Sequence, residues 1–183
     1  EDEERVDVVH SFSLHTARAR GRAMAADPTA SALTDVRSVA IAILCAPQLR
    51  PERGALLRRT LRRAVEQDLP AGVALTEVLV LDDGPHAHAA AHIAAALPNG
   101  APRCVRLRHV SVPPDASGRV SMRLKRNVAL LLASADALCF FDDDDWRARD
   151  SVETQLAVLG DADVCTLQVQ HVCELDASRR TAR

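Results

Sequence analysis

The stretch ALCFFDDDDW, residues 137–146, decides how this chain is read. Ala137 to Phe141 form an apolar run of strand length, and it passes directly into Asp142, Asp143, Asp144 and Asp145. Adjacent carboxylates repel one another and hold their protons more tightly. A hard cation removes that cost, and Mg²⁺ is commonly held by one or two carboxylates plus substrate phosphates. If the extended backbone continues past the strand, its period of two puts Asp142 and Asp144 on one side. These two are expected to be the metal ligands, clamping a cation against a diphosphate. A solvated acidic turn is the plainer alternative. The apolar strand before it and Trp146 after it weigh against a purely decorative turn.

Upstream, residues 121–134 carry Leu124, Val128, Leu131 and Leu132 at helical spacing, together with Lys125-Arg126-Asn127. A cation here, Arg126 in particular, is expected either to neutralise a diphosphate or to brace a carboxylate; a solvated helix face is the alternative. SVPPDASGRV (111–120) reads as a loop and RCVRLRHV (103–110) as a short strand. HAHAAAHIAAAL (86–97) reads as a helix stopped by Pro98-Asn99-Gly100. LTEVLVLDDG (75–84) is a strand ending in Asp82 and Asp83. Those carboxylates are candidates for hydrogen bonds to a nucleotide base or ribose, with capping of the next helix as the competing role for Asp83. Residues 52–67 are helical by their leucine spacing, and SVAIAILCA (38–46) reads as a strand buried on both faces. Downstream, 150–159 is read as a helix and 162–172 as a last strand.

Strands alternating with helices predict an α/β fold, a mostly parallel central sheet with helices on both faces. The acidic strand ends fall on the edge where open α/β sheets bind ligands. Residues 1–37 are expected to be a loosely structured extension or linker, with a short strand possible at 6–12, and 38–183 to be the folded domain. No G-x-G-x-x-G or Walker A sequence occurs, which argues against a dinucleotide site or a P-loop.

The chain has 183 residues, 48% hydrophobic and 26% charged, enough for one domain with a real core. A net charge of −2 gives no reason to expect a nucleic-acid partner. The five cysteines show no C-x₂-C spacing, and four of them, in apolar strand-like segments, read as buried small hydrophobes rather than parts of a disulfide framework. His88 and His92 have a zinc-compatible spacing but no evident third ligand, so surface positions are expected. There is no apolar run of transmembrane length. The opening EDEER, without Met, suggests a fragment or a processed product. Cytoplasm and secretory lumen both stay open.

With these motifs in order, the chain resembles a family 2-type glycosyltransferase domain of the GT-A fold. The resemblance runs from about residue 39 to 169. LRRTLRRAVEQDLP (57–70) matches the SLxxQxxP helix and LVLDDG (79–84) the V-D-D-G strand end. Arg126-Asn127 with Ala133 matches the R-N helix, and FFDDDDWRARDSVETQ (140–155) the metal motif. The resemblance implies a UDP- or GDP-sugar donor, with Mn²⁺ or Mg²⁺ on Asp142 and Asp144. It implies that Asp83, beside Asp82, meets the base or ribose and that Asp143 meets ribose or diphosphate. It further implies transfer of the sugar to an acceptor, usually with inversion. CAPQLRPER (45–53) departs from the family's P-T-Y-N loop at Pro47 and Gln48, and Ala148-Arg149 replace the proline after the metal motif. No general base is assigned; His171 and Glu174 have no geometric ground. The acceptor half is expected to be missing at the C-terminus. The alternatives are a catalytically inactive nucleotide-binding or interaction domain of the same ancestry, and a nucleotidyltransferase. The latter usually carries a Gly-rich first loop, where this chain has only Gly54.

Overall fold

The computed structural model describes residues 7–9, 36–45, 53–83, 86–113, 120–159 and 162–166. In chain order the elements are β1 (Asp7–Val9), β2 (Ser38–Cys45), α1 (Arg53–Val65), β3 (Ala74–Asp82) and α2 (His86–Ala96). They continue with β4 (Arg106–Ser111), α3 (Met122–Leu132), β5 (Ala137–Asp142) and α4 (Ser151–Leu159). The five strands form one sheet in the order β1-β4-β3-β2-β5, and every pairing is parallel. The α/β reading of the sequence holds.

Alternation along β2 explains the layers. Val39, Ile41, Ile43 and Cys45 face one cluster, with Leu57 and Leu61 of α1, Ile93 of α2, and Val152 and Leu156 of α4. Ala42 and Leu44 face the other, with Val128 and Ala129 of α3. A strand sandwiched this way must be apolar at every position, which is why SVAIAILC shows no polar residue after Ser38. Phe141 of β5 sits beside Ile43 and is fully buried. Burial of side chains this size stabilises by about 2 kcal/mol each.

From β2 the chain steps outward to β3 and β4, with α1 and α2 on one face. It then returns past β2 to β5, with α3 on the opposite face. The direction reverses between β2 and β5. Here α1 after β2 and α4 after β5 both pack on the same face. Open α/β sheets bind ligands outside the carboxyl ends of their strands at such a reversal. The acidic run begins there.

At the other end of the sheet, Asp136 fixes the register of this central pair. Its Oδ2 accepts from the backbone N–H of Arg37 and Ser38 and from the Ser38 hydroxyl. Within the sheet, Arg108 Nη1 donates to Glu77 Oε1 at 2.8 Å and to the Leu132 carbonyl at 3.0 Å, tying β4, β3 and the end of α3 together. Gly54 lets α1 and α2 approach: a Cβ there would collide with the His92 imidazole, whose Nδ1 lies 2.9 Å from Arg58 Nη1. His92 is therefore a packing residue half-buried between helices, not the surface position expected of it.

The short strand possible at 6–12 is present in part: Asp7–Val9 pairs in parallel with Arg108–Val110 as an edge strand; the other residues up to 35 lie outside the described ones. The last strand expected at 162–172 meets a different outcome. Residues 162–166 form no strand, and 167–172 lie outside the described residues.

Candidate functional site

The end of β3 separates its two carboxylates by alternation alone. Asp82 belongs to the face of α1 and α2 and is fully buried, with Oδ2 3.4 Å from His109 Nε2 of β4. Asp83 turns to the α3 face and stays partly exposed. There Lys125 Nζ lies 3.1 Å from its Oδ2 and donates to the Cys45 carbonyl at 2.6 Å. Lys125 is itself buried, so this ammonium joins the ends of β2 and β3 to α3. The cation expected from the Lys-Arg pair to brace a carboxylate is thus Lys125. Arg126 is exposed, with its guanidinium carbon 6.0 Å from the Phe140 ring centre. Asp82 cannot meet a ligand at the sheet edge while its side chain is enclosed; of the pair, Asp83 is the reachable one.

The acidic run is divided in a similar way. β5 stops at Asp142, and the Asp145 N–H donates back to the Asp142 carbonyl at 3.2 Å, closing a turn. The extended backbone that would align Asp142 with Asp144 therefore ends at Asp142. Asp143 folds inward against α1 and is 1% exposed. Its N–H donates to the Leu44 carbonyl at 3.2 Å. Arg53, the first residue of α1, donates from Nη1 to Asp143 Oδ1 at 3.1 Å and from Nη2 to Asp144 Oδ2 at 2.8 Å. Thr60, two turns along the same helix, donates to the Asp143 and Asp145 carbonyls at 3.0 and 3.3 Å. Asp145 pairs with Arg147 at 2.6 Å, and Arg147 lies over the Phe141 ring at 5.2 Å.

Just past the end of α1, Gln67 donates to the Ala148 carbonyl and accepts from the Val152 N–H, and so anchors the start of α4. These bonds supply a physical reason for a Thr and a Gln seven residues apart. Thr60 holds the acidic turn, and Gln67 holds the entry to α4.

Asp142 carries no side-chain ion pair among the described residues. Desolvation lifts its carboxyl above the ordinary range, Asp145 and Asp144 push it further up, and Arg126 and Arg147 pull against them. Leu44, Arg53, Met122, Asp142, Asp143 and Asp144 line a half-open pocket of about 150 Å³ at the carboxyl ends of β2 and β5. This volume has room for a cation and phosphate oxygens. Among the described residues no three His, Cys, Asp or Glu side chains converge on one point. A cation held here would draw only part of its shell from protein carboxylates. That is how Mg²⁺ is usually bound, and an all-oxygen donor set also suits Mn²⁺. The crowded, partly desolvated Asp142 fits such a cation, because a positive charge would offset the burial and the like charges of Asp145 and Asp144 around it.

The model of glycosyl transferase family 2 matches residues 52–182, more than two thirds of the chain. The chain belongs to glycosyl transferase family 2. Among solved structures, the family 2 domain is similar to the mannosyltransferase PcManGT from Pyrobaculum calidifontis, solved in complex with GDP-Man and Mn²⁺. That match has a TM-score of 0.54 and 21% identity, covering 74% of this chain and 36% of that one. It is also similar to S. aureus TarS 1–349, with a TM-score of 0.47 and 20% identity over 67% of this chain and 32% of that one. The domain thus spans about a third of the length of each of these chains. No curated protein matches it.

Several elements of the family 2 domain escape a reading by sequence alone. Arg53 and His109 have no local signal, because their partners lie far away in the chain. Thr60 and Gln67 stand inside the recognised motif, yet their roles appear only once α1 lies against the acidic turn. Pro47, Gln48, His171 and Glu174 fall outside the described residues, as do the side chains of His86 and His88. Cys45 is buried, and desolvation followed by Asp82 and Asp143 pushes its thiol well up. Cys139 is pushed up to about 11 by burial and by Cys165. Both behave as inert packing groups, and no described helix is long and apolar enough to cross a membrane.

Proposed function

We propose that this domain is the donor-binding half of a glycosyltransferase that takes a nucleotide-sugar, with UDP- and GDP-sugars as the first candidates, and passes the sugar to an acceptor. One observation carries the reading: Asp142, Asp143 and Asp144 line a single small pocket at the point where the strand order reverses. Membership of glycosyl transferase family 2 supports it. A structure of the same fold holding GDP-Man and Mn²⁺ supports the donor class and the metal.

In this reading Asp142 and Asp144 would hold Mn²⁺ or Mg²⁺. When bound, the cation supplies stabilisation of the negative charge that develops on the leaving nucleoside diphosphate. Asp83 is oriented by Lys125 and accepts hydrogen bonds from the nucleoside. Asp143 is pinned by Arg53 and by the Leu44 carbonyl, and it keeps the acidic turn from collapsing onto the diphosphate position. Arg126 stands at the exposed rim, on the side of Asp142, and offers positive charge to the phosphates. Thr60 fixes the turn backbone, so the carboxylates need little reorganisation when charge builds up.

Calorimetric titration with UDP and with GDP, each with and without Mn²⁺, tests this. Binding should require Mn²⁺ and be lost in Asp144→Ala. A folded sample that takes up neither nucleotide under any of these conditions would sink the reading.

A further inference from the structure

We propose that Arg53 is an internal counter-cation, which occupies Asp144 in the free domain and must release it when a divalent cation binds. The proposal rests on the metal reading of the acidic pocket and adds to it a competitor supplied by the chain itself. One planar guanidinium spans two consecutive carboxylates, 3.1 Å from Asp143 and 2.8 Å from Asp144. Arginine suits this task because its donors form a rigid fork, and it keeps its charge at any working pH.

The two contacts are unequal. The Asp143 side chain is 2% exposed, whereas that of Asp144 is 42% exposed. A charge-assisted hydrogen bond to an enclosed carboxylate is costly to break, because water does not replace the lost donor there. An exposed ion pair is weak and easily exchanged with water or another cation. Arg53 is therefore anchored on Asp143 and releasable from Asp144. The residue lines the same pocket as the three acids, so the guanidinium and an arriving cation contend for one oxygen. Asp142 carries no such partner among the described residues and is the acid a cation meets first. Arg147 makes the control: it neutralises Asp145 next door, but neither of them lines the pocket.

The test is a Mn²⁺ titration of the whole chain, followed by the electron paramagnetic resonance signal of free Mn²⁺. It compares wild type with Arg53→Gln, Arg53→Lys, Arg147→Gln and Asp142→Asn. Removing one charge-assisted contact on a ligand oxygen should tighten Mn²⁺ binding about tenfold in Arg53→Gln. Arg53→Lys, which keeps the charge but loses the fork, should tighten it less, and it also serves if the glutamine variant does not fold. Arg147→Gln should have a smaller effect than Arg53→Gln. The proposal is overturned if wild-type binding is lost in Asp142→Asn while neither Arg53 variant binds more tightly, the donor-site reading then surviving. Equal tightening in Arg53→Gln and Arg147→Gln would also overturn it, as a general charge effect. If wild type takes up no Mn²⁺, even with UDP or GDP present, the metal reading falls and the proposal with it.

Discussion

Two strand ends in this molecule carry adjacent carboxylates, and their partners are held in opposite ways. At the end of β3, Asp82 and Asp83 face His109 and Lys125, both of them enclosed by the fold. At the end of β5, Asp144 and Asp145 meet Arg53 and Arg147, whose side chains retain contact with water, and Asp142 has no ion pair among the described residues. A buried partner is costly to remove, because water does not replace it. A hydrated contact such as Arg53–Asp144 exchanges at little cost, whereas Asp143 is enclosed and Arg147 and Asp145 are each only 16% exposed. The β3 end thus belongs to the framework, whereas the β5 end keeps Asp142 and Asp144 available.

The largest effect should come from attacking the framework side. Lys125→Met removes the ammonium that joins Asp83 to the Cys45 carbonyl, and should lower the unfolding free energy in urea by about 3 kcal/mol. A loss below about 0.5 kcal/mol would break the comparison, because Lys125 would then be as dispensable as a surface cation. Thr60→Val keeps the shape but deletes the hydroxyl that holds the Asp143 and Asp145 carbonyls. It should cost about 1–2 kcal/mol in the same measurement, and it should weaken metal-dependent nucleotide binding beyond what the stability loss explains. Nucleotide affinity unchanged in Thr60→Val would show that the acidic turn holds its form without α1. The smallest effect on stability belongs to Asp144→Ala, which should stay within about 0.5 kcal/mol of wild type even though it is the variant expected to abolish metal-dependent binding. A large stability loss there would place Asp144 with the framework and erase the contrast.

How far the sequence foretold this site depends on the distance over which each feature is determined. The strands, their helices and the two acidic ends are local facts. β2 is apolar at every core position, the LDDG and FFDDDD runs end their strands, and period-two alternation already sends Asp82 and Asp83 to opposite faces. The choice between Lys125 and Arg126 needed more, since neighbouring helical residues point about a quarter-turn apart and only the packing of α3 on the sheet selects one. Placing Asp142 and Asp144 on one side assumes continued extension. The chain instead turns, because the Asp145 N–H is satisfied by the Asp142 carbonyl and Thr60 takes the next carbonyls. Arg53 was beyond reach: it meets Asp144 across 91 positions of sequence, and no pattern near residue 53 announces it.

The last residues of β2 present no charged group, yet both acidic ends are referred to them. The Leu44 carbonyl receives the Asp143 N–H, and the Cys45 carbonyl receives Lys125. Those oxygens come with every amino acid. Side chains at 44 and 45 are therefore free to drift among apolar residues of similar volume while the alignment of the carboxylates passes on unaltered. A lineage could rewrite the central strand and still inherit its ruler.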